Sequence, residues 1–308
     1  MATGTVLVTG ASTGIGEATV VHLKTLGFDA IGAVRKDEDA ERLEARGVRT
    51  VRIDVSDADQ IAAARDELGA APLAGLVNNA GIAVAAPLEF LPIDQLRHQL
   101  EVNVIGQVAV TQAFLPALRR ARGRIVNVSS IGGRVALPLV GAYNASKFAL
   151  EGMSDALRRE LRTFGVDVIL IEPGGVKTPI WTKSTKTADD MLEHGPPDVR
   201  QLYGSLIEGV RTRTQKIARE TGSEPSAVAE AIGEALTADR PRTRYQVGRD
   251  AKLRARMAKV LPDRVMDRMI LRALAGQSPS ARRIMRSMTR SGSTFAMRAR
   301  SFASRPTR

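Results

Sequence analysis

The chain has no cysteine among its 308 residues. A disulfide framework and a thiolate metal site are thereby excluded. Histidine is scarce: His22, His98 and His194 stand far apart and form no ligand cluster, so no metal is expected. His22 and His98 read as ordinary helix residues. No run of eighteen apolar residues occurs, which predicts no membrane-spanning helix. Nor is there room for a signal peptide, because Met1-Ala2-Thr3-Gly4 enters a strand-like segment at once; the cytoplasm is the expected location. No repeat or low-complexity linker interrupts residues 1–248.

Negative charge is short in one region only. From Arg249 to the end there are sixteen Lys/Arg and three Asp, which leaves twenty-nine basic and thirty acidic residues in 1–248. The net charge of +12 thus describes the C-terminus, and the body is near neutral. Residues 249–275 pattern as a basic, amphipathic helical extension. Leu253, Met257, Val260 and Leu261 share one helical face; after Pro262, Val265, Met266, Met269, Ile270 and Leu274 share another. Such helices suit peripheral contact with an anionic membrane, or packing on the body beside a substrate loop. Residues 276–308 hold eight Arg, no acid and many Ser, Gly and Thr, a composition that predicts partial disorder. Only Phe295 and Phe302 interleave with those arginines, which argues against nucleic-acid binding.

What the body does contain is alternation. Short apolar, β-prone runs fall at 5–9, 29–34, 49–53, 74–78, 124–129, 166–171 and 244–247. Helical patterns fall between them at about 15–26, 38–46, 57–68, 94–120, 143–163 and 225–237. Alternating strand and helix predict an α/β fold: a Rossmann-type doubly wound parallel sheet of about seven strands with helices on both faces. One domain over 1–248 accounts for the body. Residues 179–221 form an insertion, with Trp181, Met191, Leu192 and Tyr203 as apolar candidates to wall a substrate pocket or to pack a flexible lid.

Two groups of residues carry chemistry. The first run, Thr5 to Thr9, leads into Gly10-Ala11-Ser12-Thr13-Gly14-Ile15-Gly16 and then a helix. Gly10 permits a tight turn; Gly14 and Gly16 let backbone approach a pyrophosphate at a helix N-terminus, where free N–H groups and the dipole favour anions. In the second group, Tyr143 and Lys147 stand four residues apart, and Ser130 lies thirteen residues before the tyrosine. Residues i and i+4 share a helix face, so phenol and ammonium can meet. A nearby cation favours the phenolate and suits a tyrosine for acid–base work. A serine hydroxyl can hold the reacting oxygen.

Together these residues resemble the short-chain dehydrogenase/reductase family, in the branch marked by Thr-Gly-x-x-x-Gly-Ile-Gly and Tyr-x-x-x-Lys. The matching elements run in order: Thr9 to Gly16, Asp54-Val55, Asn78-Asn79-Ala80-Gly81, Asn103, Ser130, Tyr143, Lys147, then Pro173-Gly174 and Thr178. They cover roughly residues 4 to 245. The resemblance implies that Tyr143 donates or accepts the proton, and that Lys147 lowers its pKa and binds the nicotinamide ribose. Ser130 would orient the substrate carbonyl, and Asn103 would hold a water in a proton relay. Gly10, Ser12, Thr13, Gly14, Ile15 and Gly16 would form the dinucleotide loop. Asp54 and Val55 would contact the adenine, and Asn78, Asn79, Ala80 and Gly81 would line the adenosine side. Pro173, Gly174, Val176 and Thr178 would hold the carboxamide. A homodimer or homotetramer is implied through the helices at 94–120 and 143–163. The segment 241–248 is similar to the end of the body in members acting on steroids, retinol and other lipids.

Cofactor choice reads from the end of the second strand, Ala33-Val34-Arg35-Lys36. An acid there would bind the ribose diol and repel a 2′-phosphate. Val34 removes that repulsion, and Arg35 can hold a phosphate bidentately. NADP(H) is therefore expected over NAD(H), with Lys36 a solvated turn residue. The expected reaction is hydride transfer between nicotinamide and a ketone/secondary alcohol or aldehyde/alcohol pair, on a small-molecule substrate that is apolar: a steroid, retinoid or other lipid-like carbonyl. Two alternatives stand beside it. One is a dinucleotide-binding regulatory protein without turnover; the other is a reductase of ketoacyl thioesters or small ketones on the same fold.

Overall fold

The computed structural model describes residues 3–184, 186–194 and 196–275, so the Arg/Ser-rich stretch at 276–308 lies outside the described residues. The first half alternates strictly: β1 (Thr5–Thr9), α1 (Gly14–Thr25), β2 (Asp29–Val34), α2 (Asp37–Glu44), β3 (Arg49–Arg52), α3 (Ala58–Leu68) and β4 (Leu73–Asn78). Then come α4 (Ile93–Leu100), α5 (Gly106–Ala121), β5 (Arg124–Val128), α6 (Gly141–Leu161) and β6 (Asp167–Pro173). The chain continues through α7 (Ile180–Ser184), α8 (Lys186–His194), α9 (Pro197–Lys216), α10 (Pro225–Thr237) and β7 (Arg244–Val247). Helices α11 (Arg249–Val260) and α12 (Asp263–Ala275) close the described chain.

The seven strands form one sheet in the order β3-β2-β1-β4-β5-β6-β7, and every pair is parallel. Parallel strands are covered on both faces, so their side chains are apolar in both directions. Val6 and Val8 pack towards α1 and α10 with Val20, Leu23, Val228 and Ile232. Leu7 points the other way, into a core with Ile61 of α3, Phe114 and Leu118 of α5 and Leu161 of α6. The strand order reverses direction between β1 and β4. At such a switch point the flanking loops diverge and leave a crevice outside the carboxyl ends of the strands.

Two expectations need correction. The single helix expected at 94–120 is broken by a π turn over Glu101–Ile105, which joins α4 to α5. Such turns insert an extra residue into the helical ladder and often sit at functional sites. The insertion at 179–221, expected as a substrate loop, is helical, with α7, α8, α9 and a π turn at Ile217–Thr221. Residues 249–275 form α11 and α12: Ala251 and Ala255 of α11 pack on Ile131, and Leu274 of α12 is buried.

Candidate active site

A cleft of ≈ 410 Å³ opens at the carboxyl ends of the strands. Its floor begins at the turn from β1 into α1. Gly10 and Gly14 have φ of +64° and +62°, a region where a Cβ is penalised. Gly16 serves differently from the expectation. It does not line the cleft; a Cβ there would stand 2.2 Å from the Gly10 carbonyl oxygen, so it lets helix and turn pack. No side chain caps the N-terminus of α1, and its first N–H groups are left for an anion. The turn is tied down from outside: Asn79 Nδ2 donates to Thr9 O (2.9 Å) and Gly10 O (3.1 Å), and Arg42 donates to Ser12 O.

The adjoining wall, residues 78–84, hangs from a ladder of buried amides. Asn78 Nδ2 donates to Thr111 Oγ1 (2.9 Å), and Gln107 Nε2 to Ala80 O (2.9 Å). Asn103 Oδ1 accepts from Ile82 N (2.9 Å), while its Nδ2 donates to Ile82 O (3.0 Å). Gln99 Nε2 donates to Ile82 O and its Oε1 accepts from Val84 N, both at 2.8 Å. Every second residue of an extended segment thus meets every fourth residue of a helix. Two extended residues advance about 6.6 Å and four helical ones about 6 Å, so the two periods nearly match; the π turn adds the extra residue within this ladder. One expected role changes. Asn78 is buried behind the cleft with Thr111 and Asn127 and does not line it. The Asn103 side chain spends both amide protons on Ile82 O and Ser146 Oγ (3.0 Å), so it staples the wall.

Ser130 follows β5, and Tyr143 and Lys147 face it from the first turns of α6. Tyr143 is hydrogen-bonded to Ser130; burial pushes its phenol above the usual value and the serine pulls it back. Ser130 Oγ also accepts from Gly132 N at 3.0 Å. The ammonium stands over the tyrosine ring, and its hydrogen bond goes to the backbone. Lys147 Nζ donates to Val128 O at 2.8 Å and lies 5.8 Å from the Tyr143 ring centroid. The reason is solvation: a buried ammonium needs an acceptor, and the carbonyl at the end of β5 is in reach. Burial pushes Lys147 down to about 8, opposed by Glu151.

At the far mouth, Arg35 Nη1 lies 3.6 Å from Asp54 Oδ2, with 68% of the arginine side chain exposed. Burial disfavours the Asp54 carboxylate, but hydrogen bonds from Ser56 and the charge of Arg35 hold its pKa below the ordinary value. Ser12, Thr13, Ile15, Val55, Ala80, Gly81, Pro173, Gly174, Val176 and Thr178 line the same cleft. Trp181 closes the substrate end, edge-on to Tyr143 with centroids 6.3 Å apart, its Nε1 donating to Val176 O at 3.0 Å. Met191, Leu192 and Tyr203 instead pack among Leu139, Ala188, Val199 and Ile207. Gln95, His98 and Thr187 line the cleft unforeseen. For His98 the missed signal was its place three residues after Gln95 on α4, on the helix face that meets the opening.

The cleft fits a dinucleotide on its own geometry: an uncapped helix end beside two left-handed glycines, an acid–arginine pair at one end and a serine–tyrosine pair at the other. A family described as short chain dehydrogenase matches residues 4–189. Dehydrogenase/reductase SDR family member 9 of Bos taurus is 39% identical over 259 residues, covering 80% of this chain and 81% of its own. Retinol dehydrogenase 7 of Mus musculus is 35% identical over 275 residues, covering 86% and 87%. Among solved structures, a short chain dehydrogenase from Burkholderia cenocepacia J2315 in complex with NADP superposes with a TM-score of 0.67 at 27% identity, covering 86% of this chain and 96% of that one.

Proposed function

The chain belongs to the short-chain dehydrogenase family and is an NAD(P)-dependent oxidoreductase of alcohol and carbonyl groups, and from that premise we propose that it uses NADP(H) on an apolar, lipid-like ketone or alcohol, with Tyr143 as acid/base. The observation that carries the reading is the convergence of Ser130, Tyr143 and Trp181 at the end of the cleft lined by Pro173, Gly174 and Val176. A bound nicotinamide supplies or takes the hydride. Ser130 holds the carbonyl or hydroxyl oxygen, and Tyr143 passes a proton to it or takes one from it. The Lys147 ammonium binds the nicotinamide ribose and adds positive charge near the phenol, which favours loss of its proton.

The preference for the 2′-phosphate rests on Arg35, exposed at the mouth, and on the apolar Val34 that replaces a repelling acid. The apolar substrate rests on the wall formed by Ile82, Ala83, Val84, Val102, Ile180 and Trp181, and on the retinol dehydrogenase among the relatives. In the same reading the protein is cytoplasmic and touches an anionic membrane through its C-terminal helices. Exposed Leu253, Val260, Val265 and Met269 beside Lys252, Lys259, Arg264 and Arg268 support that contact. Exposed Phe148 on α6 and Ile105 before α5 support self-association.

The test is NADPH and NADH oxidation with a small ketone, a ketoacyl thioester, a steroid ketone and retinal. Faster turnover of the apolar carbonyls with NADPH is expected. Arg35→Asp should reverse the cofactor preference by tenfold or more, since a charge-assisted hydrogen bond is worth roughly 1.5–3 kcal/mol. Tighter NADH than NADPH binding in the wild type would refute the cofactor assignment.

A further inference from the structure

Behind the reaction centre, α6 carries a second titratable series. Tyr143, Lys147, Glu151 and Asp155 recur every fourth residue along one helix, so neighbouring Cβ atoms are about 5–6 Å apart. Glu151 is 8% exposed. Its Oε2 accepts from Arg244 Nε of β7 at 3.1 Å, and the buried hydroxyl of the neighbouring Ser129 hydrogen-bonds the same carboxylate. Arg244 is shared. It also reaches Asp155 (3.0 Å) and Glu172 of β6 (3.1 Å), and Glu172 is held in turn by Arg134 (3.0 Å) and Gln246 (2.8 Å). The groups facing Glu151 are thus Lys147 and Asp155 from its own helix, Ser129 beyond β5, Glu172 from β6 and Arg244 from β7.

Lys147 has one protein acceptor, Val128 O, and is 5% exposed. A bare ammonium in that position sheds its proton easily unless an anion stands near. Glu151 is the carboxylate that acts on it. We propose that Glu151 is a positioning residue for the reaction: its buried carboxylate, one turn beyond Lys147 and anchored to β7 by Arg244, is the counter-charge that keeps Lys147 protonated. The inference builds on the role given to Lys147 above. Burial pushes the Glu151 carboxyl above its ordinary range, with Glu172 acting in the same direction, while Ser129 and Arg244 favour its charged form. Lys147 stands one turn before it on the same helix face.

The test follows Lys147 directly, in the apoprotein, by NMR of 13Cε-labelled lysine, with the resonance assigned by its loss in Lys147→Arg. Glu151→Gln keeps size and an acceptor for Arg244 but removes the charge. Its Lys147 titration midpoint should fall by about 1 pH unit, the low end for loss of one close opposite charge. Glu172→Gln disturbs the same ion cluster further from the lysine and should leave the midpoint in place. Glu151→Asp keeps the charge but withdraws it by one methylene, so its midpoint should fall by less; this variant also serves if Glu151→Gln does not fold. NADPH affinity, followed by fluorescence against pH, should decline from a lower pH in Glu151→Gln. An unmoved midpoint in the Glu151 variants, or an equal fall in Glu172→Gln, overturns the proposal. A falling midpoint with pH-independent NADPH affinity upholds the charge coupling and removes only the ribose role of Lys147.

Discussion

On one side of the cleft, residues 78–84 hang from Gln99, Asn103, Gln107 and Thr111 by buried hydrogen bonds of 2.8–3.0 Å. On the other, Trp181 and Thr187 ride on helices seated through Leu139, Ala188, Val199 and Ile207. The first wall is polar and directional. Each amide fixes one backbone position, and removal of a partner leaves a buried group unsatisfied, at about 1–3 kcal/mol each. The second wall is held mainly by apolar contact, which is not directional and tolerates repacking. A wall of the first kind holds its atoms to a fraction of an ångström; a wall of the second kind can adjust its shape.

The sharpest way to break the contrast is at Tyr143, which belongs to the polar side yet touches Trp181. Tyr143→Phe removes the proton and keeps the ring against Trp181. Turnover should fall about 10²–10⁴-fold, the usual cost of losing a general acid, while cofactor affinity measured by fluorescence titration stays close to wild type. Retention of a large part of the activity at saturating substrate would take the proton step away from this residue.

The same contrast governs what could be read in the residues alone. The seven strands lie within about two residues of their expected positions, because a strand buried on both faces must be a short apolar run, and glycines mark its ends. The cofactor side of the cleft was legible for a related reason: Gly10, Gly14, Asp54 and Asn79 to Gly81 each answer a local backbone requirement. The polar ladder was not read. Gln99, Asn103, Gln107 and Thr111 show a spacing of four, but only the extended segment opposite gives that spacing a meaning. Nor could the π turn be seen, since it is a property of the pairing and not of its five residues. The lid was left between two readings for the opposite reason. Met191, Leu192 and Tyr203 are apolar, and nothing local says whether such side chains meet substrate or protein.

A middle-sized effect separates the walls by pH. Lys147 titrates at about 8 in the folded protein and at about 10.4 when unfolded. Between those values the unfolded chain holds a proton that the folded chain has released, so this residue's contribution to stability rises with pH. Below about 8 both forms are protonated and the contribution is flat. At about 1.4 kcal/mol per pH unit, the gain reaches about 2 kcal/mol by pH 9.5. The melting temperature of wild type relative to Lys147→Met should therefore climb by a few degrees from pH 8 to 9.5. A constant difference across that range would mean that the ammonium is better solvated than its surroundings indicate. No comparable slope is expected from substitutions among the apolar contacts of the second wall.

The smallest expected effect tests that second wall. Tyr203 combines both kinds of contact: its hydroxyl donates to Glu89 Oε2 at 2.7 Å, and its ring meets Phe90 edge-on with centroids 5.9 Å apart. The hydroxyl bond is exposed, so water replaces it when it is lost, and Tyr203→Phe should cost little. Its melting temperature should stay close to wild type, with kcat unchanged. Tyr203→Ala removes the ring as well, and with it the contacts to Phe90 and the surrounding apolar cluster. It should melt lower still and raise KM for a bulky substrate, because α9 would hold the cleft-lining α7 and α8 less firmly. The order of the two variants is what matters. If Tyr203→Phe costs as much as Tyr203→Ala, a directional polar bond fixes this wall too, and the division of the cleft into a hydrogen-bonded half and a packed half fails.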